Sequence, residues 1–299
     1  MPRVSVIIAA RNAEQTLPGT LASIASQSYR DWEVVAVDDG SNDATPALVD
    51  EFRAGPVQLL RNDRQAGPGA ARNRAVQHAS GELIATLDAD DRWLPDYLER
   101  QVARYDEAVA AGERVGLVAC NARLLGSDGE LRDDTWADRV GPVAPATLAR
   151  MLAVNRVCST VLMPRAVFGE LGGYDASIWR GEDYDLWLRL LEAGYAIVAN
   201  QATLAVYRFS QDGLTAASAA AAASTRLVYE RALERGHLGP RERRVARRAR
   251  RLFKVLEARA SGRGRDVLPL TVLVALEHPG RWRQWLRRGP RPAGSGRHA

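Results

Sequence analysis

Three acidic stretches carry the chemistry open to this sequence: Asp38-Asp39, Asp88-Ala89-Asp90-Asp91 and Glu182-Asp183. Carboxylates crowded at the end of a buried strand repel one another and are costly to desolvate. A divalent cation resolves both problems. Mg²⁺ and Mn²⁺ prefer oxygen ligands and are commonly shared between one or two carboxylates and substrate phosphates. Asp88-Ala89-Asp90-Asp91 therefore reads as a metal-diphosphate site. Taken alone, such a stretch fits an acidic surface turn better, with Asp91 capping the next helix. The company it keeps reverses that judgement. Glu182 and Asp183 follow Gly181 and open a helical pattern, where partial positive charge favours carboxylates. Simple capping would account for one acid; two after a glycine point to a site.

The elements around these acids follow a regular alternation. Val4-Ser5-Val6-Ile7-Ile8-Ala9-Ala10 is a near-continuous apolar strand, as suits a parallel sheet covered on both faces. Leu17, Leu21, Ile24 and Ala25 recur at helical spacing. Glu33-Val34-Val35-Ala36-Val37 is a second strand ending in the Asp38-Asp39-Gly40-Ser41 turn, with Asp43 or Ser41 able to cap the next helix. Val57-Gln58-Leu59-Leu60 is a third strand, Gly67-Pro68-Gly69 turns into a further helix, and residues 82–87 form a fourth strand. The order β-α-β-α-β-α-β predicts a doubly wound α/β sheet with ligands beyond the strands' carboxyl ends. Asp38, Asp39, Asp88 and Asp90 all fall at such ends. Strands are also expected at 115–120, 159–163, 195–199 and 203–208. Tyr184, Trp187, Leu188 and Leu191 share one helical face, and Asp185 can pair with Arg189. Neither a Gly-x-Gly-x-x-Gly after the first strand nor a Gly-Lys-Ser loop is present, which disfavours dinucleotide-binding and P-loop folds.

Charge divides the chain. Residues 216–299 hold 20 Arg and Lys against 6 Asp and Glu, a net of +14, and residues 1–215 hold 21 against 30, a net of −9. An acidic body with a basic tail suggests two jobs. Basic helices are expected over 216–235 and 241–259. Arg281-Trp282-Arg283-Gln284-Trp285 interleaves arginine with tryptophan, and 289–299 is a Pro/Gly/Arg-rich tail expected to be disordered. Cys120 and Cys158 lie in apolar runs and read as buried free thiols. Neither a leader peptide nor an apolar run of about 18 residues is seen. These features predict a cytoplasmic protein, peripheral at the inner face of the plasma membrane if the tail meets lipid.

With these pieces in order, the sequence resembles family 2 (GT-A fold) inverting glycosyltransferases. The resemblance rests on Val4-Ser5-Val6-Ile7-Ile8, Val37-Asp38-Asp39-Gly40-Ser41, Gly69-Ala70-Ala71-Arg72-Asn73, Leu87-Asp88-Ala89-Asp90-Asp91 and Gly181-Glu182-Asp183. It implies a GT-A fold: a Rossmann-like, doubly wound, mostly parallel sheet flanked by helices. It implies a catalytic domain over 1–213, with a nucleotide-sugar half over about 1–92 and an acceptor half over about 93–213. A basic helical extension over 214–288 and the 289–299 tail lie beyond it. The implied partners are a nucleotide-diphosphate sugar donor, a UDP-sugar by default, and a glycan or lipid-linked acceptor. The implied cofactor is Mn²⁺ or Mg²⁺. Asp39 would read the nucleobase, with Ala9 and Arg11 lining its pocket and Asp38 beside it. Asp88 would lie near the ribose, and Asp90, with Asp88, would hold the metal. Asp183 would be the general base, with Glu182 beside it. Arg72 would add positive charge near the phosphates or form a structural salt bridge to the acidic turns.

One departure stands out. Many members carry a histidine after the last body strand, where this chain has Ser210. His78 and His237 are poorly placed to replace it, which leaves Arg208 as a candidate for donor closure. The basic tail suits an anionic membrane surface; a helical hairpin packed on the acidic body explains its charge equally well. Two other functions compete. A nucleotidyltransferase would also use paired aspartates, but Ala10-Arg11-Asn12-Ala13 stands where a Gly-rich, Lys-containing loop is needed. A nucleic-acid or anionic-surface binder would use the Arg-rich helix and leave the aspartates unexplained, so no nucleic-acid partner is expected.

Overall fold

The computed structural model describes residues 1–209 and 218–262. Ser210, Trp282, Trp285 and the 289–299 tail lie outside these residues. The first half winds as the sequence predicts: β1 (Val4–Ala10), α1 (Leu17–Ala25), β2 (Trp32–Asp38), α2 (Thr45–Asp50), β3 (Val57–Arg61), α3 (Pro68–His78) and β4 (Leu83–Thr86). β1 pairs in parallel with both β2 and β4, and β2 with β3. The unbroken apolar run of β1 has a direct cause. Ile7 packs into the core on one face of the sheet, and Val6 and Ile8 into the core on the other. A strand buried on both faces cannot alternate.

Beyond β4 the sheet becomes mixed. The elements are β5 (Arg92–Trp93), α4 (Tyr97–Ala110), β6 (Val115–Gly126), β7 (Leu131–Thr135), α5 (Trp136–Val140), α6 (Leu148–Ala153), β8 (Val161–Pro164), α7 (Arg165–Glu170), α8 (Glu182–Glu192) and β9 (Ala196–Phe209). The sheet order is β3-β2-β1-β4-β8-β6-β9-β5, with β7 on β6. β8 runs antiparallel to both β4 and β6, whereas β9 runs parallel to β6. The two short strands expected at 195–199 and 203–208 are one strand, β9. Asn200-Gln201-Ala202 looks like a turn in the sequence. Here it is carried as an irregularity in the β6–β9 register, where Asn121 donates to Thr203 Oγ1 at 3.2 Å and Asn200 Oδ1 accepts from Ala202 N–H at 3.2 Å.

Two helices follow, α9 (Ala219–Arg235) and α10 (Pro240–Ala260), and pack on the body through α8 and α6. Val228 and Ala246 are fully buried in that contact. The hydroxyls of Tyr184 and Tyr229 meet at 3.2 Å, over the carbonyls of Met151 and Leu152. Arg235 reaches Asp185 and Glu192 at 2.7 Å each, and Asp185 also takes the expected pair with Arg189 at 2.7 Å. None of the described helices is long and apolar enough to cross a membrane.

Because Asp185 and Glu192 side chains are each only 2% exposed, removing their cation strands buried charge. Arg235→Gln is expected to cost about 3 kcal/mol of stability. Urea denaturation followed by circular dichroism would show the midpoint falling; an unchanged midpoint would mean that the α9 contact is energetically idle.

Candidate functional site

All three acidic stretches converge at the carboxyl edge of the parallel half. At the end of β2, Asp38 accepts from Ser41 N–H at 3.2 Å and shapes its turn. Asp39 accepts from the Asn62 amide at 2.6 Å, Ala66 N–H at 2.8 Å and Gly67 N–H at 2.9 Å, fixing the loop that leads into α3. α3 then carries Arg72 inward. Arg72 is 6% exposed, donates to both Asp88 and Glu182, and lies 5.6 Å from the Tyr174 ring centre. Gly69 permits this arrangement: a Cβ there would lie 3.3 Å from both Glu182 Cγ and Tyr174 Cβ. Asn73 clamps the loop before α8, with its amide on Tyr174 O at 2.8 Å and its carbonyl accepting from Tyr174 N–H at 2.9 Å.

The carboxylates of the β4 turn differ sharply in their partners. Asp88 is held by Arg72 and by the Ser159 hydroxyl at 2.7 Å, and Arg72 leads the effects that draw its pKa below the usual range against burial. Asp91 accepts from Arg208 N–H at 2.8 Å, tying the turn to β9 instead of capping α4. Its second oxygen is buried without a partner. Burial, with Asp90 and Asp88 alongside, pushes it well above the ordinary carboxylate range. Asp90 is half-buried, accepts from its own N–H and forms no ion pair among the described residues. Burial and then the Asp88 charge raise it to about 6. A divalent cation would reverse that shift. Among the described residues no three His, Cys, Asp or Glu side chains gather as a metal cage. One or two carboxylates completed by phosphate oxygens and water are the arrangement Mg²⁺ and Mn²⁺ ordinarily accept.

At the other acidic pair, Gly181 adopts φ +79°, a left-handed conformation that lets the chain turn directly into α8. Glu182 is committed to Arg72 and is 5% exposed. Asp183 accepts from Tyr184 N–H at 2.6 Å. Burial first, and then the Glu182 charge, raise it to about 7.

Two cavities meet at Arg72 and Asp88. One, of about 460 Å³, holds Ala9, Arg11, Asp39, Asp90 and Arg208 in its wall. The other, of about 650 Å³, holds Glu182 and Asp183 and is closed by α9 and α10. Asp38 lines neither: it supports the turn from below. The sequence reading also missed Ser159, which orients Asp88, and Trp179, which lies against Gly67 at the mouth of the smaller cavity. Nothing local marks Ser159, since its partner is 71 residues away. Trp179 does leave a sign, being a large aromatic that is 41% exposed in a loop beside the Glu182-Asp183 pair.

A crevice beyond parallel strand ends, with a carboxylate on each side of a buried arginine, defines a group-transfer site of the nucleotide-binding α/β class. Comparison with known proteins names the family. Residues 5–124 match the family model for glycosyl transferase family 2. The chain is 30% identical over 241 residues to the putative teichuronic acid biosynthesis glycosyltransferase TuaG of Bacillus subtilis, covering 79% of this chain and 90% of that protein. It is 28% identical to an Escherichia coli UDP-Glc:alpha-D-GlcNAc-diphosphoundecaprenol beta-1,3-glucosyltransferase, WfgD, covering 71% and 79%. Among solved structures, S. aureus TarS 1–349 in complex with UDP-GlcNAc aligns with a TM-score of 0.65 at 19% identity, covering 86% of this chain and 72% of that one. A Pyrobaculum calidifontis mannosyltransferase in complex with GDP-Man and Mn²⁺ aligns with a TM-score of 0.65 at 21% identity, covering 96% and 83%. The chain belongs to glycosyltransferase family 2, and its fold is GT-A.

Arg72 is the cation on which both buried acids depend. Arg72→Met is expected to cost about 3–5 kcal/mol at pH 7.5. A melting temperature within a degree or two of the wild type would show that Asp88 and Glu182 do not need it.

Proposed function

We propose that this enzyme moves a sugar from a nucleotide-diphosphate donor, a UDP-sugar by preference, to a hydroxyl of a glycan or lipid-linked acceptor, with inversion. Residues 1–213 would carry the transfer and 214–288 would extend the acceptor side. The observation that carries this reading is the junction of the two cavities. Asp90 stands in one, Asp183 in the other, and Arg72 with Asp88 lies between them. A donor diphosphate in the smaller cavity and a hydroxyl in the larger one would meet there, on opposite sides of the transferred carbon. A single displacement with inversion follows from that approach.

Each residue has a role that its surroundings support. Asp39 already accepts three N–H groups, yet a carboxylate has about four acceptor sites. It can take the imide N–H of uracil while holding the pocket floor, with Ala9 and Arg11 as walls. Asp90 is the carboxylate left free to hold Mn²⁺ or Mg²⁺. Asp88 stands beside it, already held by Arg72 and Ser159. A divalent cation there would supply positive charge to the departing nucleotide diphosphate. Arg208 lines the same cavity and its buried Nε has no partner, so it is placed to supplement that charge. Asp183 would take the proton of the attacking hydroxyl. A carboxylate raised to about 7 is a far better base than an ordinary aspartate and is still ionised near neutrality. Glu182 sustains that shift by repulsion while Arg72 keeps Glu182 itself charged.

The names of the relatives agree with this reading. TarS binds UDP-GlcNAc, the Pyrobaculum enzyme binds GDP-Man and Mn²⁺, and TuaG belongs to teichuronic acid synthesis. A place in cell-surface polysaccharide or glycoconjugate synthesis is the corresponding proposal for this chain, with cytoplasmic work at the inner face of the membrane.

The test uses Asp183→Asn. Transfer should fall by at least about a hundredfold, while the affinity for UDP with Mn²⁺ stays within about twofold. Full transfer by this variant would remove Asp183 from the mechanism. In the wild type the base must be ionised to work. The rate should therefore be flat above pH 7 and fall about tenfold per unit below it. A profile unchanged down to pH 5 would contradict the role.

A further inference from the structure

We infer that the larger cavity is built for an acceptor carrying a phosphate between its sugar and an apolar chain. This inference rests on the transfer reading above, and it names the acceptor class. The cavity, of about 650 Å³, changes character along its length. Asp183 stands at one end. At the other, Leu152 of α6 faces Val245, Leu252 and Phe253 of α10. Two cations, Arg180 and Arg248, line the space as well.

Arg248 is the telling residue. Other arginines of the C-terminal helices are paired: Arg226 with Glu230 and Glu257, Arg231 with Asp175, and Arg235 with Asp185 and Glu192. Arg248 is half-buried and has neither a hydrogen bond nor an ion pair among the described residues. Arg180 touches only a neutral group, the Ser218 hydroxyl at 3.1 Å. A half-buried guanidinium without a counter-ion is costly unless an anion arrives with the ligand. Guanidinium groups match phosphate geometry well. A neutral glycan needs neither the two cations nor the apolar wall. A free sugar phosphate needs the cations alone. An amphiphile with sugar, phosphate and hydrocarbon in series uses all three surfaces. The sugar lies at Asp183, the phosphate at Arg180 and Arg248, and the chain along Leu252 and Phe253. The outer side of α10 exposes Arg244, Arg247 and Lys254 on one face, as suits a helix working beside the anionic surface that holds such a lipid.

The test is a calorimetric titration of the full chain with farnesyl diphosphate, farnesol and inorganic diphosphate. UDP and Mn²⁺ are present at saturation so that the donor cavity is filled. UDP binding is measured first and separately. Its failure would count against the donor assignment, and the titrations would then be run without it and still read the dependence on Arg248. Farnesyl diphosphate should bind at least about tenfold more tightly than either of the other probes. Arg248→Gln and Arg180→Gln should each weaken it about tenfold or more, with Arg248→Lys intermediate and UDP affinity unchanged. Inorganic diphosphate binding as tightly would mark a free-anion site and overturn the inference. Equal binding of farnesol would remove the phosphate from it. The absence of farnesyl diphosphate binding, or wild-type affinity in both glutamine variants, would overturn it outright.

Discussion

Arg72 is the interaction on which the site depends. Its guanidinium is buried between a carboxylate at the end of β4 and another at the start of α8. The side chains of Arg72 and Glu182 are each 7% exposed. Charges this far from water are expensive singly and tolerable only together. The ion-pair cluster therefore does more than hold two segments. It permits four acids, Asp88, Asp90, Glu182 and Asp183, to gather in one crevice without mutual expulsion. It also divides labour among them. Asp88 and Glu182 are neutralised by the arginine, which leaves Asp90 and Asp183 with raised pKa values on opposite sides of it. A cation on one side and a substrate proton on the other are what those two groups lack.

The fold's first half was legible because parallel α/β winding writes itself into a sequence as apolar runs separated by helical spacing. The acids fell at strand ends because strand and turn were each readable locally. The second half was harder for a physical reason. β8 joins the sheet antiparallel beside β4, and β9 crosses a register irregularity held by Asn121 and Asn200. Both depend on contacts distant in sequence. The site shows the same limit. Asp88 and Asp90 look interchangeable in the sequence. They are separated by partners 16 and 71 residues away, Arg72 and Ser159, that no local pattern links to the turn. Arg72 itself was read as either phosphate ligand or structural bridge, and its geometry makes it first a bridge. Asp38 was grouped with the donor residues on its position alone, yet its side chain supports the turn and faces neither cavity.

The C-terminal helices show how a charge count can be right and still underspecified. The excess of arginine in the tail and of acid in the body is plain from the sequence. Part of it is spent between the two: Arg231 and Arg235 meet Asp175, Asp185 and Glu192 on the body. The remainder divides by direction. Arg248 turns into the cavity beside the apolar wall, whereas Arg244, Arg247 and Lys254 turn to solvent. Helical periodicity predicts that such faces exist. What each one meets is decided by how α10 crosses α6 and α9.

The most direct measurement of the central claim is a thermal-shift panel of UDP, GDP, dTDP and CDP, each with and without Mn²⁺, on the wild type and on Asp90→Ala. One diphosphate should stabilise the wild type by several degrees only when the metal is present, and that shift should vanish in the variant. Stabilisation that ignores the metal, or that survives the loss of Asp90, would contradict the assignment of the acidic turn and of the crevice built around it.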